Sequence, residues 1–354
     1  MSAAMEQAAM EQAGRAATEQ AQPRVAVLGA GSMGTTFAMV LADAGCDVTL
    51  WGRDTAVLDA VDRTHRNEKY LPGVQLPAMH GTTDPAVALK GASIVVVSVP
   101  SLVARARLGS MKDLVEPDAV VVSLMKGVEL QTDKRMSQVL AEVLDLPDER
   151  IAVVSGPNLA PEIAERQPTA TVVASRSEAT AQLVASACGN GYFRPYTNTD
   201  VVGVELCGAV KNIIALAAGM AQGRGFGWNT IATLVTRGLV EITRLGLALG
   251  ADAATFSGLA GMGDLMATCA SPLSRNHRLG KHFGEGLSLE EAIAATGGTA
   301  EGVKSSQSVL ELARAHDVEM PITAGVVDVL AGKLSLPDLA ATLFARPQKS
   351  ELAG

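Results

Sequence analysis

Apolar residues follow two rhythms along this chain, and the change falls near residue 200. From Arg24 to that point, short apolar runs alternate with stretches of helical spacing. The runs cover 25–28, 48–51, 93–99, 119–124, 151–155, 169–174 and 192–197. Ile94-Val-Val-Val97 and Val120-Val-Val122 are continuous and β-branched, as expected for strands buried on both faces of a parallel sheet. Helix-start chemistry follows: Ser101 can cap after Val99-Pro100, and Pro161 with Glu162 suits a first helical turn. This alternation predicts a doubly wound α/β domain. After Asp200 no strand pattern remains. Residues 202–220 form a long apolar segment with only Glu205 and Lys211 charged, and 230–249 read as a helix ending near Gly250. Ser288-x-x-Glu291 and Ser335-x-x-Asp338 are capping-box signatures. The expected division is a disordered extension over 1–22, an α/β domain over 23–201, an all-α domain over 202–345 and a tail over 346–354. Ligands of an open α/β sheet bind beyond the carboxyl ends of its strands, so the site belongs in the interdomain cleft.

The first apolar run leads directly into Gly29-x-Gly31-x-x-Gly34 and a helix-compatible segment. Gly29 permits the tight turn, Gly31 lets backbone approach a pyrophosphate, and Gly34 lets helix pack on strand. The anion then sits on a helix N-terminus. The tip of the next strand, Leu50-Trp51-Gly52-Arg53-Asp54, carries no carboxylate for a ribose 2′-hydroxyl. Arg53 follows at once and can pair with a 2′-phosphate, which favours NADP(H) over NAD(H). Its alternative is a solvated Arg beside a helix-capping Asp54.

At 354 residues, with 48% hydrophobic and 19% charged residues, the chain suits two globular domains. A net charge of −8 argues against a general nucleic-acid surface, so phosphorylated ligands need locally concentrated bases. Cys46, Cys188, Cys207 and Cys269 show no C-x-x-C spacing, which suggests reduced cytoplasmic thiols. The five histidines have no metal-ligand spacing. No apolar run is expected to span a bilayer. Residues 1–22 repeat Ala-Ala-Met-Glu-Gln and lack the apolar core of a signal peptide.

Several positions carry candidate chemistry. Lys126, in Leu124-Met-Lys-Gly-Val128, lies just past a strand's carboxyl end, where its ammonium can meet an anion. Ser155-Gly-Pro-Asn158 occupies the equivalent place after another strand, as a turn that presents an amide. Lys211 lies inside the most apolar helix. Burial there lowers a lysine pKa toward the range useful for moving a proton, whereas a rim position would let it snorkel. Gly258-Leu-Ala-Gly-Met-Gly-Asp264 has no strand before it and reads as a tight turn that brings Asp264 to the cleft, or as a helix cap. Ser274-Arg-Asn-His-Arg278 gathers donors suited to phosphate. His277 ranks below Lys211 as a general acid, because Arg275 and Arg278 would disfavour its cation. Gly297-Gly-Thr-Ala-Glu-Gly302 is a flexible loop before a helix.

Together these motifs resemble the bacterial NAD(P)-dependent glycerol-3-phosphate dehydrogenases. The matching series is Gly29-x-Gly31-x-x-Gly34, Lys126-Gly, Ser155-Gly-Pro, Gly208-x-x-Lys-Asn212, Gly261-Met-Gly-Asp-Leu265, Ser274-Arg-Asn276 and Glu301-Gly302. The resemblance spans 24–344 and implies a Rossmann-like N-terminal domain, a helical C-terminal domain and a homodimer. It implies reduction of dihydroxyacetone phosphate to sn-glycerol 3-phosphate for glycerophospholipid synthesis. Lys211 would be the general acid/base. Lys126, Gly156, Asn158, Asp264, Ser274, Arg275 and Asn276 would surround the substrate. Gly29, Gly31, Ser32, Met33, Gly34, Arg53, Tyr70, Lys126, Ala160, Arg275, Thr299 and Glu301 would contact the cofactor. Many relatives carry Ser or Thr then Phe where this chain has Asn158-Leu159. Two alternatives share parts of the pattern. A β-hydroxyacid or 6-phosphogluconate type dehydrogenase would take a carboxylate substrate, and a nucleotide sensor would have no use for Lys211, Asp264 and Arg275 together.

Overall fold

The computed structural model describes residues 22–297 and 300–345. The chain runs β1 (Arg24–Leu28), α1 (Ser32–Asp43), β2 (Asp47–Trp51), α2 (Thr55–Thr64), β3 (His80–Thr82), α3 (Pro85–Leu89), β4 (Ile94–Val97) and α4 (Ser101–Gly109). It continues through β5 (Val120–Ser123), α5 (Met136–Leu144), β6 (Ile151–Ser155), α6 (Ala160–Ala164), β7 (Thr169–Ser175), α7 (Glu178–Cys188) and β8 (Phe193–Asn198). From there the described residues are helical: α8 (Val201–Gly223), α9 (Trp228–Ala248), α10 (Ala253–Ser257), α11 (Asp264–Ala270) and α12 (Arg275–Gly284). The last four are α13 (Leu289–Ala295), α14 (Glu301–Ala315), α15 (Pro321–Leu330) and α16 (Leu336–Phe344).

One eight-stranded sheet is ordered β3-β2-β1-β4-β5-β6-β7-β8. β4 and β5 pair in parallel along their β-branched runs, Ile94 with Val120 and Val96 with Val122, and every residue of both strands is buried. Helices cover both faces, as a Rossmann-like domain requires. Two features depart from the sequence reading. β3 has only three polar, partly exposed residues and so lacks an apolar signal. β7 runs antiparallel to β6, and β8 runs parallel to β7. β8 therefore ends at the opposite edge from β1, β4, β5 and β6.

That reversal sets the path of α8. The helix is capped by Asp200, whose side chain accepts from the Gly203 amide. Val201 and Val204 pack on Val153, Val172 and Ala174 of the sheet. Seven residues on, a rise of about 10 Å, Gly208 lies against Ser155 at the carboxyl end of β6. The rest of α8 forms the axis of the helical core. At 23 residues and mean hydropathy 1.7, α8 is long and apolar enough to cross a membrane. This corrects the expectation of no such run, although 94% of that window is buried within the protein.

Local chemistry mostly follows the expected rules. The Ser288–Glu291 capping box forms, and Ser335 accepts from the Asp338 amide. Ser101 does not cap: Pro100 holds the cap position and Ser101 is already the first helical residue. Residues 1–21 of the expected 1–22 extension and the tail over 346–354 lie outside the described residues.

Candidate active site

Four adjacent strands, β1, β4, β5 and β6, end on one edge, and β1, β5 and β6 are each followed by a predicted motif. After β1, Gly29 takes φ +126°, and a Cβ there would stand 2.5 Å from the Ser98 carbonyl beyond β4. A Cβ on Gly34 would strike the Gly29 carbonyl, so α1 packs as closely as a dinucleotide turn demands. Gly31 is the N-cap of α1 with extended backbone, its side has open space, and no side chain caps the helix. The first amides of α1 are thus free to receive a pyrophosphate, and the residues present fit a dinucleotide.

Around this turn, Ser32 Oγ donates to the Tyr70 carbonyl at 3.1 Å, and Met33 packs half-buried on the sheet's core. The Tyr70 ring is exposed, with the Lys69 ammonium 5.5 Å from its centre. Asn67, which sequence reasoning passed over, is buried and donates to the Ala30 carbonyl (3.1 Å) and to Thr35 Oγ1 (2.8 Å). It fixes the turn from a distant loop, and no local pattern marks it. The Ala160 carbonyl accepts from Thr36 of α1 at 3.4 Å, which brings position 160 to the same helix. Arg53 is exposed and makes no ion pair or hydrogen bond among the described residues. Asp54 caps α2 and pairs with Lys69 at 2.8 Å. Thr299 lies outside the described residues.

Beyond β5 and β6 the sheet meets α8. Lys211 is 5% exposed and Asp264 is 1% exposed. The Lys211 ammonium donates to Asp264 Oδ1 and to Thr268 Oγ1, the latter at 2.8 Å, and Lys126 Nζ donates to Asp264 Oδ2 at 2.8 Å. Asp264 arrives through a single π-helical turn, Leu259–Gly263, which closes against Phe256: a Cβ on Gly261 would overlap the Phe256 carbonyl. Thr268, one helical turn after Asp264, was also missed. Its i,i+4 spacing on α11 was the available signal.

Two ammoniums thus share one buried carboxylate. Burial pushes the Asp264 carboxyl up, but the two lysines outweigh it and hold it below its ordinary value. Burial pulls Lys126 down, yet the charge of Asp264 prevails and its pKa ends raised. Lys211 is lowered to about 7, by burial first and by the Lys126 charge, against the pull of Asp264. Lys211 is therefore the group in the triad that gives up a proton most readily.

Gly156 is buried, and Asn158 Nδ2 donates to Thr171 Oγ1 at 2.9 Å. Asn158 Oδ1 and Ser155 Oγ have no hydrogen-bond partner among the described residues. The second basic cluster opens α12, a ten-residue helix. Ser274 is its N-cap and accepts from the His277 amide, which leaves its hydroxyl hydrogen free to donate. Arg275 follows, exposed. Asn276 is buried and structural in part: it donates to Asn212 Oδ1 (3.0 Å) and accepts from the Gly302 amide (2.9 Å), tying α8, α12 and α14 together. Glu301 opens α14, and burial pushes its carboxyl up against the nearby Arg275 and Lys126 charges. His277 is lowered as expected but for a different reason: burial first, then Lys281, rather than Arg275 and Arg278. All four cysteines are free and buried.

Family models described as NAD-dependent glycerol-3-phosphate dehydrogenase N-terminus and C-terminus match residues 24–181 and 200–341. The chain is 58% identical over 329 residues to glycerol-3-phosphate dehydrogenase [NAD(P)+] of Streptomyces griseus, which covers 93% of this chain and 98% of the relative. It is 55% identical over 333 residues to the enzyme of that name from Thermobifida fusca, covering 94% and 99%. Its fold matches the crystal structure of glycerol-3-phosphate dehydrogenase from Coxiella burnetii with a TM-score of 0.87 at 36% identity, covering 92% and 99%. Matched over both halves and by relatives of nearly equal length, the chain belongs to the NAD-dependent glycerol-3-phosphate dehydrogenase family.

Proposed function

We propose that this protein reduces dihydroxyacetone phosphate to sn-glycerol 3-phosphate, reversibly, and so supplies the backbone of glycerophospholipids. The observation that carries the reading is the buried Lys126–Asp264–Lys211 triad on the edge where the dinucleotide turn also opens. A bound NADH or NADPH supplies the hydride. Lys211 hands its proton to the C2 oxygen as that atom gains negative charge, which turns the ketone into a secondary alcohol. Lys126 stays charged and stabilises the developing oxyanion. Asp264 and Thr268 hold the Lys211 ammonium in place. Ser274, Arg275 and Asn276 grip the phosphate, so binding energy far from C2 orients the reacting carbon. The orphaned Ser155 and Asn158 oxygens offer acceptors to the sugar hydroxyl. Gly29, Gly31, Ser32, Met33, Gly34, Tyr70, Ala160 and Glu301 form the cofactor's side of the cleft.

We place the enzyme in the cytoplasm as a homodimer. Exposed Phe226, Trp228 and Leu273 on the helical domain support the second point, because a lone chain gains nothing by leaving them in water.

The test follows absorbance of NADPH and NADH with dihydroxyacetone phosphate. Lys211→Ala should lower kcat by at least about 100-fold while cofactor fluorescence titration stays near wild type. A wild-type kcat in that variant would overturn the assignment. The reductive rate should fall as pH rises through about 7, because the proton donor is then spent.

A further inference from the structure

Between β5 and α5 the chain leaves the sheet and enters the helical domain. Val128 is buried in that domain's core and forms a β-bridge with Arg135. Arg135, its side chain 11% exposed, donates to Glu205 of α8 and to Ser137 Oγ at 2.9 Å. Glu205 is likewise buried and accepts the Ser137 amide at 2.8 Å, standing in for a cap at the start of α5. The outer side of the same excursion is tied by Glu129 to Arg105, with both bonds at 2.9 Å.

Two positions give this clamp its meaning. Lys126 stands two residues before Val128. Glu205 stands six residues before Lys211 on one rigid helix, about 9 Å along its axis. A buried ion pair is weak evidence for stability, because desolvation offsets its attraction; the better-attested use is to select one register. We propose that Glu205, through Arg135 and Ser137, is a positioning residue that sets where the Lys126 ammonium stands against Asp264 and Lys211. The inference rests on the catalytic reading of the triad given above.

The groups facing Lys211 are Asp264 and Cys269 from α11, Cys207 on α8, Glu301 at the start of α14, and Lys126. Of these, Lys126 is on the clamped excursion. A like charge nearby lowers a lysine pKa, so letting Lys126 drift raises that of Lys211. The alkaline limb of kcat/KM for ketone reduction must then move to higher pH.

The experiment records that limb for the wild type, Lys126→Met, Glu205→Gln and the double variant Arg135→Met/Glu205→Gln. The double variant removes both buried charges, so the fold does not carry an unpaired one; circular dichroism melts report its integrity. Lys126→Met should move the limb up by about one pH unit or more. The double variant should follow in the same direction, and Glu205→Gln also where it folds. A merely structural clamp would lower the melting temperature and the overall rate with the limb in place. A stationary limb in the folded double variant, with Lys126→Met shifted, overturns the clamp and leaves the triad standing. A stationary limb in Lys126→Met overturns both.

Discussion

A buried ammonium on a helix rich in alanine, isoleucine and leucine would ordinarily be too costly to keep. Lys211 is kept because one carboxylate and one hydroxyl meet it, and its chemistry follows from a second ammonium on the same carboxylate. The sequence placed a lysine in the most apolar helix and left burial or a rim position open; Asp264, 53 residues on, was legible as a group reaching the cleft, but that Lys126, 85 residues before, shares its carboxylate was not. Arg53 is the reverse case. Its position after β2 was legible, and having no ion pair or hydrogen bond among the described residues leaves the guanidinium available to a 2′-phosphate. Arg53→Ala should raise KM for NADPH by roughly tenfold or more and leave KM for NADH nearly unchanged. Equal losses for the two cofactors would show that Arg53 does not read the 2′-phosphate.

At the scale of elements, the apolar runs found seven of eight strands, most plainly β4 and β5, because buried parallel strands are continuous in sequence. β3 escaped because its His80-Gly-Thr is short and polar, and the inversion of β7 escaped because strand direction leaves no mark on composition. Helix–helix contact was also hidden. α8 and α12 cross backbone to backbone through Gly219, Gly223, Gly280 and Gly284. A Cβ on Gly280 would overlap the Leu216 carbonyl and stand 3.0 Å from the Met220 amide. Because Ser274 caps α12 and Arg275 opens it, this crossing sets where those two residues stand relative to Lys211. Gly280→Ala should cost about 3 kcal/mol in chemical denaturation and raise KM for dihydroxyacetone phosphate. An unchanged stability with unchanged KM would show that the crossing yields without consequence.

For the whole molecule, exposed Phe226 and Trp228 border a small cavity of about 100 Å³ lined also by Ile231, Cys269 and His277. A second copy seated there would cover it, so sedimentation equilibrium of the full chain should give twice the monomer mass; a monomer across micromolar concentrations would refute the dimer. The inverted β7 has a consequence of another kind. Had β7 and β8 run with the other strands, α8 would begin at the ligand edge and point its four unpaired amides and positive pole at the ketone. A cation is unwelcome at that pole. Because β7 turns back, α8 starts at the far edge and passes the ligand edge broadside. Lys211, eleventh of 23 residues, meets Asp264 from the helix's electrically neutral flank. One reversed strand thereby decides that a cation, rather than an anion, can be the helix's contribution to catalysis.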